Sequence, residues 1–151
     1  MSDHAITAQR TSRLQAVNMS SELVFVDTSI ALTSGARIGQ AYAPAILGMA
    51  GKRAFRGLSD ALVLQEIADW APSPIFSAFW GFMERILPVT AEDLCRAHDL
   101  MIQYPHCSPR VCTHVAVMQR HGIRQIYAVG NAGFEHFTDL RLLPLAGVSQ
   151  P

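Results

Sequence analysis

Short apolar runs alternate with amphipathic stretches along this chain, and the alternation predicts strands and helices in turn. The first firm element is the run Leu23 to Val26 in the segment ELVFVDTSI, whose β-branched and aromatic residues are typical of a buried strand. Later strands are predicted in the segments ILPVT, RQIYAV and LRLLPL. Strands separated by helices indicate an α/β fold with a mainly parallel sheet.

Helices are predicted between these strands. Thr90 with Asp93 resembles a capping box, while Ser108 and Pro109 suit the start of the last helix and Gly122 suits its end. The predicted helices cover 41–51, the segment SDALVLQEIADWA with Ser59 as its cap, 75–86, 91–102 and 108–122.

Composition limits the class of protein. A chain of 151 residues, half of them apolar and 16% charged, suits one domain with a real hydrophobic core. We expect a flexible tail over 1–20, a domain over 21–146 and a short tail over 147–151. Because twelve basic residues balance twelve acidic ones, the sequence gives no support to a protein that coats nucleic acid. Near-zero charge with high apolar content favours self-association.

The cysteines and the N-terminus favour a cytoplasmic protein. Three cysteines, with no apolar stretch after a basic one at the N-terminus, are typical of reduced thiols in the cytosol. Cys95 and Cys112 are expected to be ordinary buried thiols. No run of about 18 apolar residues is present, so no membrane span is expected.

Candidate ligand-binding residues follow the ends of two predicted strands. Asp27 directly follows the first strand and Asn131 follows RQIYAV by two residues, so both can reach the edge of a parallel sheet where ligands bind. Glu66 lies in an apolar helical segment, where a carboxylate is costly to bury without a cation or donor. Asp27 and Glu66 could together hold Mg²⁺ or Mn²⁺. Alternatively, Asp27 caps the next helix, Glu66 lies on the surface, and His114 is a satisfied core histidine.

Four segments carry a family resemblance that spans nearly all of 23–144. They are FVDTSI, LVLQEIADW, AHDLMIQYPHCSPRVCTHVAVMQRHGI and IYAVGNAGFEHFTDLRLLP. In this order and with these separations, they resemble the PIN domain family, and most closely its VapC-type toxin ribonucleases. The resemblance implies a three-layer α/β/α sandwich around the sheet. It also implies a Mg²⁺- or Mn²⁺-dependent endonuclease acting on single-stranded RNA, with three or four acidic residues at the sheet edge.

The resemblance also assigns positions, and two of them depart from the pattern. Asp27 matches the first acid, with Ser29 as its usual hydroxyl neighbour, and Glu66 matches the second. The third acid belongs three residues before His114, where this chain has Val111. The fourth belongs three residues before the Phe of GFEHF, where this chain has Asn131. His114 matches the histidine that follows the third acid in many members, which supports this register.

Two functional hypotheses follow. In the first, the protein is a weakened metal-dependent endoribonuclease, in which Asp27 and Glu66 bind the metal and Asn131 assists. In the second, it is an inactive PIN fold that serves as a protein- or RNA-binding or regulatory module, because Val111 offers a metal no oxygen. The partners that the resemblance implies are RNA, a small antitoxin protein and a second copy of the chain.

Overall fold

The computed structural model describes residues 22–32, 46–70, 73–129 and 132–144. The predicted tails over 1–20 and 147–151 and the residue Asn131 lie outside the described residues. Residues 41–45 of the predicted helix over 41–51 also lie outside the described residues. Its remaining residues, 46–51, are helical as predicted.

A parallel sheet of five strands forms the centre of the described chain. Its order is β3-β2-β1-β4-β5, and every neighbouring pair is parallel. Because all five strands run the same way, their carboxyl ends meet at one edge. The α/β class predicted from the sequence is therefore confirmed. The strands are β1 (Leu23–Val26), β2 (Arg56–Asp60), β3 (Arg85–Leu87), β4 (Gln125–Tyr127) and β5 (Arg141–Leu142).

Helices connect the strands, and two of the predicted N-terminal caps, Thr90 and Ser108, are present. The Thr90 hydroxyl accepts the backbone N–H of Asp93 while the Asp93 carboxylate accepts that of Thr90. The Ser108 hydroxyl accepts the backbone N–H of Val111, and Gly122 has a φ of 66°, which suits a glycine after a helix end. Besides the helical residues 46–51, the helices are α1 (Ser29–Leu32), α2 (Ala61–Trp70), α3 (Ser73–Phe82), α4 (Ala91–Gln103) and α5 (Pro109–Arg120), and Phe134–His136 form a 3₁₀ turn.

The sequence-based assignment missed strand β2. Ser59, expected as a helix cap, lies in this strand and donates its hydroxyl to the Val26 carbonyl at 2.9 Å. The cap of α2 is Asp60, whose carboxylate accepts the Val63 N–H at 2.9 Å. With a single large apolar residue, RGLSD has no strand pattern of its own. It becomes a strand because it pairs with β1 on one side and β3 on the other.

Two further expectations need correction. The aromatic helix α3 ends at Phe82 and not at Ile86, because the chain turns into the sheet, where the Glu84 N–H donates to the Gly57 carbonyl at 2.7 Å. Cys95, expected to be buried, is exposed on α4, whereas Cys112 is buried as expected.

The core lies around β1 and α5. Val24, Phe25 and Val26 of β1 are all buried, and eight successive residues of α5, from Val111 to Met118, are buried as well. A helix buried on all sides packs between other elements, so α5 fixes the geometry on both sides of it. Among the described residues, no helix is long and apolar enough to cross a membrane.

Candidate functional site

Two buried aspartates mark the carboxyl ends of adjacent strands. Asp27 follows β1, and its backbone N–H continues the sheet by donating to the Tyr127 carbonyl at 3.0 Å. Asp60 is the last residue of β2. Both side chains are fully buried, so each carboxylate requires partners inside the protein.

Arg110 joins Asp27 to Glu66. Its Nη2 donates to Asp27 Oδ1 at 2.8 Å, and its Nε lies 2.9 and 2.8 Å from the two carboxylate oxygens of Glu66. The side chains of Asp27, Glu66 and Arg110 are 0%, 24% and 31% exposed. The structure thus brings the two predicted acids together, with a guanidinium group between them.

The charge of this cluster is only partly balanced. Two carboxylates and one guanidinium leave a formal charge of −1. Burial lowers the pKa of Arg110, but attraction to Asp27 and Glu66 outweighs it, so the pKa of Arg110 lies above its ordinary value. Arg110 is therefore charged at any physiological pH. We call Asp27, Glu66 and Arg110 the acid–arginine cluster.

His114 lies between this cluster and Asp60. Its Nδ1 is 2.5 Å from Asp60 Oδ2, and its Nε2 is 3.9 Å from Glu66 Oε1, beyond hydrogen-bond distance. The Nε2 atom has no hydrogen-bond partner among the described residues. The predicted core histidine is therefore only half satisfied, and its second nitrogen faces the acidic edge.

Ser29 holds the turn after β1. Its N–H donates to Asp27 Oδ2 at 2.9 Å, and its hydroxyl accepts the Val129 N–H at 3.0 Å. Asp27 thus also satisfies the first N–H of α1, as the capping interpretation expected. The hydroxyl ties the turn to the end of β4, which makes Ser29 a supporting residue of the edge.

Val111 lies in the first turn of α5 and is 1% exposed. A methyl group placed on Gly133 would meet a Val111 methyl at 3.4 Å, so the valine packs closely against that loop. Val111 is therefore an apolar core residue, and its match to the third acid of the family pattern stays a prediction. The other departing position, Asn131, lies outside the described residues.

The carboxylates are the right kind of ligand for Mg²⁺ or Mn²⁺, but with Arg110 bound between them they do not accommodate such an ion. Both carboxylate oxygens of Glu66 and one of Asp27 accept hydrogen bonds from Arg110. In the described ranges, no three His, Cys, Asp or Glu side chains are grouped so that they could hold a metal. The cation between the two acids is the guanidinium.

The five-stranded parallel sheet with acids at its carboxyl edge defines an α/β protein of the PIN-like kind that the sequence predicts, and comparisons with known proteins identify the family. The chain is 31% identical over 96 residues to a VapC ribonuclease of Mycobacterium bovis and equally to ribonuclease VapC13 of Mycobacterium tuberculosis. In both cases the match covers 58% of this chain and 72% of the relative. The chain therefore belongs to the VapC family of PIN-domain toxin ribonucleases.

A solved structure resembles most of this fold. The crystal structure of Mycobacterium tuberculosis VapC20, described as a toxin that cleaves the sarcin-ricin loop, superposes with a TM-score of 0.55 at 22% identity. The superposition covers 78% of this chain and 98% of that one. At this identity the likeness concerns the fold alone. No model of a known protein family matched the chain.

Sequence reasoning missed two residues of the site. Asp60 was missed because strand β2 was not recognised, and the residue was assigned to the predicted helix as the position after the expected cap Ser59. Arg110 stands within the SPR segment that was matched to the family. Its role was invisible because its partners are 83 and 44 residues away in the chain.

Proposed function

We propose that this protein is a VapC-type endonuclease of single-stranded RNA that depends on Mg²⁺ or Mn²⁺ and has weakened activity. Asp27 and Glu66 are its candidate catalytic and metal-binding residues, with Asn131 assisting and Ser29 and His114 supporting them. Family membership supports the reaction class.

The observation that carries the proposal is the convergence of Asp27 and Glu66. Their carboxylates belong to residues 39 positions apart, yet both lie within 2.9 Å of one guanidinium at the sheet edge. Holding two acids this close is unfavourable unless a cation lies between them. The cluster lies outside the carboxyl ends of parallel strands, where open α/β proteins bind their ligands.

The proposed weakening has two causes. Val111 supplies no oxygen where the family has an acid, and a charge missing at about 4 Å removes up to roughly 4 kcal/mol of attraction at an effective dielectric of 20. Arg110 adds a positive charge that a metal ion would have to displace. Both changes lower the affinity for a divalent cation.

A cleavage assay with matched variants tests the proposal. The wild type is incubated with a pool of short single-stranded RNAs in Mn²⁺, with and without EDTA. We expect slow cleavage that EDTA abolishes and that Glu66→Gln lowers by about 100-fold, equivalent to about 2.7 kcal/mol in the transition state. The control is Glu84→Gln, which removes another arginine-paired carboxylate, that of the exposed Glu84–Arg56 pair. Cleavage that survives EDTA, or an equal loss in both variants, would refute the proposal.

A second candidate function is an inactive binding module. The apolar side chain at Val111 and the guanidinium at Arg110 favour it, because both oppose metal binding. In that case the wild type would retain single-stranded RNA or a small antitoxin in a gel-shift or co-purification assay. It would show no cleavage at any Mn²⁺ concentration.

Partners are proposed on the same basis. Membership of a toxin family supports a small antitoxin protein as one partner and RNA as another. A homodimer is supported by the exposed apolar side chains of Trp80, Phe82, Leu94 and Ile102. Sedimentation of the purified chain at two concentrations tests the dimer, and a single species of monomer mass at both would exclude it.

A further inference from the structure

The geometry points to Arg110 as a built-in cation that closes the acidic site against divalent metal ions until its guanidinium moves away. This inference deepens the proposed function and rests on it for the identity of the site. It assigns Arg110 a regulatory role toward metal binding.

The first support is the number and direction of the contacts. One nitrogen of Arg110 donates to Asp27, and a second is shared between both oxygens of Glu66, all at 2.8–2.9 Å. These are charge-assisted hydrogen bonds of good length, so they compete with any ion for the same lone pairs. Arg110 in this conformation and a metal ion bound by the two acids exclude each other, because both need the same space and the same carboxylate oxygens.

The second support is the position of Arg110 in its helix. It is the second residue of α5, directly after Pro109. The first turn of a helix carries partial positive charge, so a cation is disfavoured there. The helix therefore does not account for the placement of the guanidinium, and the two carboxylates do. The guanidinium of Arg110 is held in place by the same two carboxylates that it blocks. A cation that binds these carboxylates more strongly therefore releases the arginine.

The third support is that Arg110 can leave without disturbing the core. Its side chain is 31% exposed, whereas the next residue, Val111, is 1% exposed and anchors the backbone of α5. The arginine can rotate into solvent about its own side-chain bonds while the helix remains packed. Closure and opening are thus side-chain movements, which occur rapidly at exposed positions.

Metal titration of two matched variants tests the inference. Arg110→Met removes the charge and keeps the side-chain stem, and Arg120→Met is the control because Arg120 lies on the same helix and pairs with another buried acid, Asp93. Binding of Mn²⁺ is measured by calorimetry and by the electron paramagnetic resonance signal of free Mn²⁺. We expect Arg110→Met to bind Mn²⁺ at least tenfold more tightly than the wild type, and Arg120→Met to bind it equally. Arg110→Met binding within twofold of the wild type, or undetectably, would overturn the inference.

A second measurement covers the case in which Arg110→Met folds poorly, since it leaves two acids without a cation. Thermal unfolding is then followed with and without Mn²⁺. The melting temperature of Arg110→Met should rise with Mn²⁺ by more than that of the wild type, and Arg110→Lys, which keeps the charge, should behave like the wild type. An equal rise in all three proteins would overturn the inference. Failure of the proposed function is separate, because it is decided by RNA cleavage by the wild type.

Discussion

Restoring an acid at position 111 is the most direct perturbation of this site. Val111 is buried in the first turn of α5 and packs against the loop at Gly133. The change Val111→Asp has a matched control in Val111→Asn, which has nearly the same shape but no charge. Comparing the two separates the effect of the carboxylate from the loss of apolar packing.

The structure sets the size of the effect. Removing the buried valine costs about 1.5–3 kcal/mol of stability, and leaving a buried polar group without a partner costs about 1–3 kcal/mol more. Without metal, the free energy of unfolding of both variants should therefore be lower than that of the wild type by about 2.5–6 kcal/mol. A carboxylate near a bound cation returns up to roughly 4 kcal/mol at an effective dielectric of 20, which is at most several hundredfold in affinity.

Urea unfolding with and without Mn²⁺ measures this difference. At 100 times its dissociation constant, Mn²⁺ should stabilise Val111→Asp by about 2.7 kcal/mol and leave Val111→Asn almost unchanged. RNA cleavage by Val111→Asp should rise over the wild type, and further when Asn131→Asp is added. Equal responses of the two variants to Mn²⁺ would refute the placement of position 111 in the site.

Three other predictions concern stability. The hydrogen bond from Arg120 lowers the pKa of Asp93 from 3.8 to about 2. About 2 kcal/mol of the free energy of unfolding that is present above pH 4 should therefore be lost between pH 4 and pH 2. If Arg120→Met showed the same dependence of unfolding free energy on pH as the wild type, this prediction would be contradicted. His114→Ala breaks the buried contact with Asp60 and should cost about 3 kcal/mol in urea unfolding, and a loss under 1 kcal/mol would disprove it. Gly133→Ala forces a side chain onto a φ of 108° and should lower stability by about 1–2 kcal/mol, so a melting temperature equal to the wild type would exclude strain there.

The sequence alone was sufficient for elements that carry their own pattern. Strand β1 is apolar throughout, and the N-cap residues Thr90 and Ser108 mark the beginning of helices α4 and α5. Such signals are local, because a hydroxyl cap acts within three residues and a strand pattern within five. The placement of Asp27 after a strand was visible for the same reason. Strand β2 lacked any such signal, since its residues are extended only because β1 and β3 pair with them.

Only the tertiary structure decided what surrounds the acids. Asp27, Glu66 and Arg110 come from three distant parts of the chain, and their hydrogen bonds exist only after β1, α2 and α5 have packed. Asp60 and His114 likewise meet across 54 residues. Electrostatic attraction depends on distance in space, which sequence spacing does not encode for residues on different elements. The sequence therefore identifies Asp27 and Glu66 as candidate acids, but only the packing of α5 against the sheet places Arg110 between them.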